Sequence, residues 1–334
     1  MKALAAIRPL LLIIFYCVGA KAQSISGIVN SYYHVTAINT LANTLTLSST
    51  GGLSVGTKIL MIQMKGAAIN SGNTSTFGDL TAINNTGNHE FNIICSITGN
   101  DVFLKYQILK TYDVGGLVQL VSVPVYSSVT IAGPVSSTPW NPATGTGGIV
   151  AIEATNTIFL NSSINVSGQG FLGGALQNYP IPPYDCTWAV DVTDYFLSIP
   201  PSDTYHTGGR KGEGITDYIV GKEYGRGKLS NGGGGGNNNN TGGAGGGNYG
   251  HGGDGGQRTN ETFFLCHGHN PGVGGLSLSA YGYTPAQNRI FPGGGGGAGH
   301  ENNAVGLPGG NGGGIVILTA ALLTGSGNSI VANG

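Results

Sequence analysis

The sequence predicts an all-β chain: a small N-terminal β-sandwich or barrel, then a parallel β-solenoid-like region interrupted by a glycine-rich, polyglycine II-like insertion. Three observations carry that prediction. Glycine fills 62 of 334 positions, against an ordinary usage of about 7 per cent. Short apolar alternations bounded by Gly, Asn, Thr and Ser open the chain, with no stretch of sustained, capped helical periodicity. One strand-and-turn pattern occurs twice, far apart. Only 9% of residues are charged while 40% are hydrophobic, which excludes a charged, solvated disordered chain. Collagen is excluded as well, because glycine does not recur at every third position and proline is scarce.

Taken in order, residues 1–22 read as a signal peptide. Lys2 and Arg8 precede the apolar run Leu10 to Val18, and Ala20-Lys21-Ala22 supplies the small residues of a cleavage site. The mature chain is expected to begin at Gln23. The run is short of the ~20 apolar residues of a membrane span and no later segment approaches that length, so export without a membrane span is expected. Cys17, behind bulky Tyr16, makes a poor lipidation signal and leaves with the peptide. Removing Lys2, Arg8 and Lys21 from 14 basic residues leaves 11 against 15 acidic ones, a net charge of −4. That balance favours neither nucleic acid nor an anionic membrane as partner.

Residues 23–133 are expected to form the compact all-β domain. Tyr33, Val35 and Ala37 alternate with His34, Thr36 and Ile38, and Leu45 and Leu47 alternate with Thr44 and Thr46, the pattern of strands with one buried face. Lys58 to Met64 is a denser apolar run. Phe91 to Ile97 faces Val102 to Leu109 across a turn at 98–101, a hairpin. Leu117 to Val123 runs into Pro124, which cannot donate to a ladder and marks a bend or an edge.

The repeat defines the second region. Gly147 to Ala154 aligns with Gly313 to Ala320, and without a gap Ser163-Ile164 falls on Ser329-Ile330 and Gly168 on Gly334. Each copy reads as one coil of a parallel solenoid, and a coil must stack on a neighbour to bury its face. A first coil over 134–168 and a second, truncated coil over 313–334 are therefore expected to lie side by side, with 169–312 looped out between them. That insertion begins with core formers, including Phe171, Tyr179, Trp188, Tyr195 and Phe196. It continues into glycine runs at 232–236, 242–256 and 293–297. Such runs suit flexible tethers. They also suit ordered three-fold helices, because the absence of Cβ lets backbones approach closely enough to bond one another; aromatic residues between the runs can cover such a bundle, and order is the expectation.

Three cysteines follow the signal peptide. Cys95 occupies an apolar strand position and reads as a buried thiol. Cys186 and Cys266 both lie in the insertion and are the expected disulfide of an oxidising compartment. It would close a loop of about 80 residues, for which chain entropy gives roughly 4 to 5 kcal/mol, although spacing alone does not fix the pairing. Cys266, His267 and His269 are possible metal ligands, but no second close pair completes a tetrahedral site unless His251 or His300 is brought in; no metal is expected. Gly252 to Gly256, centred on Asp254, holds one copy of a calcium-type pattern that binds through many. No Gly-Lys-Ser or Gly-Lys-Thr follows any glycine run, which removes a phosphate loop, and no nucleophile elbow occurs. Polysaccharide cleavage needs paired carboxylates or a carboxylate with a base. Asp185, Asp191, Asp194, Asp203, Glu213, Asp217 and Glu223, interleaved with Arg210, Lys211, Lys222, Arg226 and Lys228, show no motif and read as a solvated polar surface. No catalytic residue and no cofactor are assigned.

Several segments carry a family resemblance: Tyr32 to Asn39, Leu53 to Gly66, Phe77-Gly78-Asp79, Val118 to Tyr126, Trp140, Gly168 to Gly174, Gly232 to Asn237, Gly293 to Asn303 and Pro308 to Val316. Together they resemble the N-terminal regions of large secreted Bacteroidota surface proteins. The resemblance covers nearly the whole mature chain. It implies an adhesin-like or matrix role, with immunoglobulin-like or PKD-like modules and a type IX sorting or gliding-motility-associated C-terminal domain further along a longer precursor. The chain reaches Gly334 without such a domain, so a fragment or truncated gene is expected. The glycine-rich part is also similar in composition to the glycine-rich region of anaplastic lymphoma kinase family receptors, where polyglycine helices bundle; that likeness implies no kinase activity. The expected function is thus a non-enzymatic, secreted cell-surface or extracellular-matrix module that binds a surface, glycan or protein ligand. The alternative is a carbohydrate-binding or carbohydrate-cleaving solenoid.

Overall fold

The computed structural model describes residues 23–176, 194–196, 208–237, 241–257, 269–282, 287–300, 306–325 and 327–334. The signal peptide lies outside them, as do Cys186 and Cys266. The chain is nearly all β. It opens with β1 (Gln23–Ile28), after which β2 (Tyr32–Asn39), β3 (Thr44–Leu47) and β4 (Lys58–Gln63) begin a barrel. A small antiparallel pair, β5 (Ala68–Ile69) and β6 (Leu80–Ala82), stands outside it. The barrel is completed by β7 (His89–Thr98), β8 (Asp101–Leu104) and β9 (Val118–Val123), in the closed order β2-β3-β8-β7-β4-β9. The expected hairpin is β7 and β8, antiparallel with Thr98 opposite Asp101.

Alternation puts Val35, Leu45, Leu47, Ile59, Met61, Ile94, Val102 and Leu120 inside the barrel. Two irregularities shift the simple period. A register shift between Val35 and Ala37 turns Ala37 outward and brings Ile38 towards the core. A second shift, between Ile94 and Ser96, leaves Cys95 exposed. The expected buried thiol is therefore a surface thiol, because a bulge inserts one residue into the alternation.

Past Pro124 the chain leaves the barrel for a stack of parallel coils. The first comprises β10 (Val125–Tyr126) and β11 (Val129–Ser136). The next comprises β12 (Ile149–Ala154), β13 (Thr157–Leu160) and β14 (Ile164–Asn165), and the last β15 (Ile315–Thr319), β16 (Leu322–Gly325) and β17 (Ile330–Val331). The two repeat copies lie side by side: Ile149 pairs with Ile315 and Glu153 with Thr319, and Ile164 pairs with Ile330. The Ser163 and Ser329 hydroxyls meet at 3.4 Å. On the other side, β11 stacks on β13 and β14, and β1 stacks on β11. The solenoid therefore includes Gln23–Ile28 and, from Val125 on, residues 125–133, which the sequence places in the N-terminal all-β domain, and the first coil begins ahead of the expected boundary at 134.

Among the described residues three cores follow from this. One fills the barrel. One fills the solenoid, with Val129, Ile131, Val135, Val150, Ile152, Ile158, Ile164 and Val166. The third lies between barrel, solenoid and insertion: Leu60, Ile62 and Met64 from the barrel meet Ile149, Ala151 and Ile315 from the coils, with Trp140, Phe171, Ile215 and Phe291. Strands β4 and β12 thus bury both faces, which is why their sequences run apolar without alternation. Side chains stitch the same junction. Asn30 donates to the Ser122 and Ala151 carbonyls at 2.8 and 2.7 Å, Gln119 exchanges two bonds with the Gly147 backbone, and Lys58 pairs with Glu153.

Candidate functional site

The insertion folds against this junction through buried charges. Glu213 sits in the run Lys211-Gly-Glu-Gly214 and is 4% exposed. Its Oε1 accepts from Lys65 Nζ at 3.3 Å, while its Oε2 accepts from Trp140 Nε1 at 3.0 Å and from the Leu172 backbone N–H at 3.1 Å. Lys65 lies 5.5 Å from the Phe171 ring centroid, and Asp217 Oδ1 is 3.8 Å from its Nζ. One carboxylate thus ties together the barrel, the segment entering the second coil, the coil exit and the insertion.

Lys211 is fully buried. Its Nζ donates to the carbonyls of Tyr195, Gly225 and Gly227 at 2.7, 2.9 and 2.8 Å, over the Phe77 ring. Burial pulls the ammonium well below the usual lysine range. The three acceptors oppose that shift, because they match the three N–H bonds of an ammonium and not the two of a neutral amine. Lys228 pairs with Asp79 at 2.7 Å. Arg210, Lys222 and Arg226 lie over Tyr218, Phe196 and Tyr195. The expectation of a solvated polar surface fails at Lys211, Glu213 and Lys228: a chain this poor in charge uses them inside, each with partners. Each stands next to a glycine, Lys211 and Glu213 beside Gly212 and Lys228 beside Gly227, and that placement, where backbones come close, is the signal that could have found them.

The glycine runs form an ordered lattice. In 293–300 each successive N–H points to a different neighbour and the pattern repeats every third residue. Gly293, Gly296 and Gly299 donate to the carbonyls of Gly313, Gly310 and Leu307; Gly294, Gly297 and His300 donate to those of Gly247, Ala244 and Thr241; Gly295 and Ala298 donate to those of Glu213 and Arg210. All are between 2.8 and 3.0 Å. The run also accepts, from Phe171 and Gly174 on one side and from Gly233 and Gly236 on another. A period of three with bonds radiating to separate neighbours is the signature of packed three-fold helices. Such packing excludes side chains. A Cβ at Gly234 would collide with the Arg226 carbonyl and one at Gly295 with the Leu172 carbonyl, well inside the 3.0 Å that real Cβ contacts respect. Asn231, fully buried, caps the bundle: its Oδ1 accepts from Ile215 N–H at 2.8 Å and its Nδ2 donates to Gly247 O at 3.2 Å. Asp254 Oδ1 accepts from Gly274 N–H at 2.7 Å, a lattice role for the aspartate of the calcium-like pattern.

Beside the 293–300 run lies a groove of about 600 Å³ walled by 242–248 and 307–313. Among the described residues no cluster of three His, Cys, Asp or Glu could hold a metal, and no helix is long and apolar enough to cross a membrane. The expected disulfide partners Cys186 and Cys266, and His267 beside the latter, fall outside the described residues; His251 Nδ1 accepts from Ser277 N–H at 3.2 Å.

No protein-family model matches the chain, and no curated protein matches it. Among solved structures it is similar to the tailspike protein gp49 from Pseudomonas phage LKA1, with 11% identity over 43% of this chain and a TM-score of 0.20. The chain spans 25% of that protein. A likeness this slight carries no argument about function.

Proposed function

We propose that this chain is a non-enzymatic structural and binding module of the cell surface or extracellular matrix, adhesin-like and exported by its N-terminal signal peptide. The observation that carries the reading is where the chain spends its scarce charges. Lys65, Lys211, Glu213 and Lys228 are buried and engaged in joining barrel, coils and glycine runs into one body. Buried charges held by opposite charges or by carbonyls lock a geometry, and removing either partner is costly. Parallel coils and a backbone lattice bonded in several directions suit a stiff spacer, since a load is shared among many short hydrogen bonds. The resemblance to secreted Bacteroidota surface proteins points to the same role. Incubation of the purified chain with a panel of polysaccharides tests it. The expected result is recovery of every polymer intact; release of reducing ends or unsaturated products would overturn the non-enzymatic reading in favour of a carbohydrate-cleaving solenoid.

A further inference from the structure

The groove beside 293–300 is an unfilled place in the glycine lattice, and we propose that it binds an extended segment of Gly-Gly-Xaa triplets supplied by a second polypeptide. A helix of three residues per turn has three donor and three acceptor directions. Around 293–300 all three donor directions are taken, by 306–313, 241–247 and 210–213. Two acceptor directions are taken, Gly293 and Gly296 accepting from 171–174, and Gly295 and Ala298 accepting from 233–236.

The third acceptor direction belongs to Gly294 and Gly297, and among the described residues no N–H reaches either carbonyl. Going round the run, 171–174 bonds to both 306–313 and 210–213, and 233–236 bonds to both 210–213 and 241–247. The unfilled place therefore lies between 241–247 and 306–313, which are the walls of the groove. Those walls contribute unpaired backbone as well: the N–H groups of Gly243, Gly246 and Gly310 have no acceptor among the described residues. The spacing is three residues along each segment, so the floor and one wall offer groups at the repeat of an extended three-fold strand. The situation matches an exposed sheet edge, where unpaired backbone selects another backbone.

The identity of the occupant follows from sterics. The floor residues Gly296 and Gly299 direct their missing Cβ into the groove. At Gly296 that position lies 3.3 Å from Ala244 O and 3.5 Å from Gly310 N, and at Gly299 it lies 3.7 Å from Thr241 O and 3.9 Å from Leu307 O, contacts to both walls. A backbone seated there at lattice spacing has no room for Cβ on its inner sides and room only outward. The chain's own outer wall shows the solution: in Pro308-Gly-Gly-Asn-Gly-Gly313 the two larger residues, three apart, are exposed and the pairs between them are glycine.

Binding of a labelled, lysine-flanked peptide of three Gly-Gly-Asn triplets to the whole purified chain tests this by fluorescence anisotropy, with an Ala-Ala-Asn peptide as control. Saturable binding of the first and at least tenfold weaker binding of the second is expected. Gly296→Ala and Gly299→Val should abolish binding with little change in melting temperature, while Gly253→Ala, whose Cβ meets nothing within 4 Å, should not. Reversible self-association lost in Gly296→Ala would support the same site with a second copy as the source. Absence of saturable binding, equal binding of the alanine peptide, or undiminished binding by both groove variants would overturn the proposal. Should a groove variant fail to fold, the contrast between the two peptides on the unaltered chain still decides.

Discussion

Replacing Gly295 by alanine should unfold the glycine lattice locally. The added Cβ lies against Leu172 O and Leu172 C, and 2.8 Å from Gly173 N. All three are backbone atoms, so no side chain can turn away, and the neighbouring segment must retreat. Overpacking of this kind costs about 1 to 3 kcal/mol. Retreat also stretches the bonds that this segment gives the run, from Phe171 N–H to Gly293 O at 3.2 Å and from Gly174 N–H to Gly296 O at 2.8 Å, each worth about 1 kcal/mol net. Against this, alanine restricts the unfolded chain and returns about 0.4 to 1 kcal/mol. A net loss of about 2 to 5 kcal/mol follows. Gly253→Ala is the matched comparison: with open space around the new Cβ, only the unfolded-state gain remains and the variant should be slightly more stable. Urea unfolding followed by circular dichroism, with limited proteolysis at the insertion, measures both. A Gly295→Ala protein as stable and as protease-resistant as Gly253→Ala would refute the lattice and return the runs to flexible tethers.

Glu213→Gln removes the charge facing Lys65 and hands Trp140 and Leu172 a weaker acceptor; stability should fall by about 3 kcal/mol or more, read as a lower urea midpoint. Lys211→Met leaves the Gly227 carbonyl without a donor, while the Tyr195 and Gly225 carbonyls keep the N–H groups of Gly227 and Gly235; it should cost about 1 to 3 kcal/mol by the same assay. Burial lowers the His89 pKa below its usual 6.5, with Lys110 acting the same way and the Gly87 carbonyl opposing. The unfolded chain therefore takes the proton first. Stability should fall as pH drops from about 6.5 towards the native value, by at most about 1.4 kcal/mol per pH unit, and His89→Asn should flatten that part of the pH–stability curve. Cys95, exposed on β7, should alkylate rapidly in the folded protein, while non-reducing peptide mapping should recover Cys186 and Cys266 linked; their recovery as separate thiols would reject the disulfide.

Legibility in the sequence tracks how local the determining physics is. Strand periodicity at Leu45 and Leu47 and the hairpin at 98–101 are local, and they stand as read. The stacked repeat is non-local but leaves a local trace, because in-register coils need the same residue at the same place: Ile149 on Ile315, Ile164 on Ile330. Bulges leave none. Nothing in Ile93-Ile-Cys-Ser-Ile97 announces the shift that exposes Cys95, since the shift is set by the partner strand. The membership of Gln23–Ile28 in the solenoid was hidden for a similar reason: a parallel partner lies across the whole barrel, at Val129–Ser136. Candidate-site residues were hardest of all. Glu213 and Lys211 read as surface charge because a hydropathy pattern cannot reveal carbonyl cages or a lysine reaching in from the barrel.

The glycine content also explains why so few charges must be buried with such care. A core of side chains gains stability from apolar area. A lattice of bare backbone has little of that and must gain instead from hydrogen bonds, each worth only about 1 kcal/mol net while fixing a glycine costs roughly 1 to 2 kcal/mol. The runs are thus unable to order themselves unless their ends are held. In this chain the holding groups are identifiable: Glu213 and Lys65 clamp one end of 210–214 to the barrel and coil, Lys211 gathers the carbonyls of 225 and 227, and Asn231 joins 215, 247 and 292. Each anchor brings together segments whose glycines then bond one another at no further entropic cost of approach. The dependence runs one way, so loss of an anchor should loosen the lattice, whereas loss of a single lattice bond at an open position such as Gly253 should leave the anchors in place.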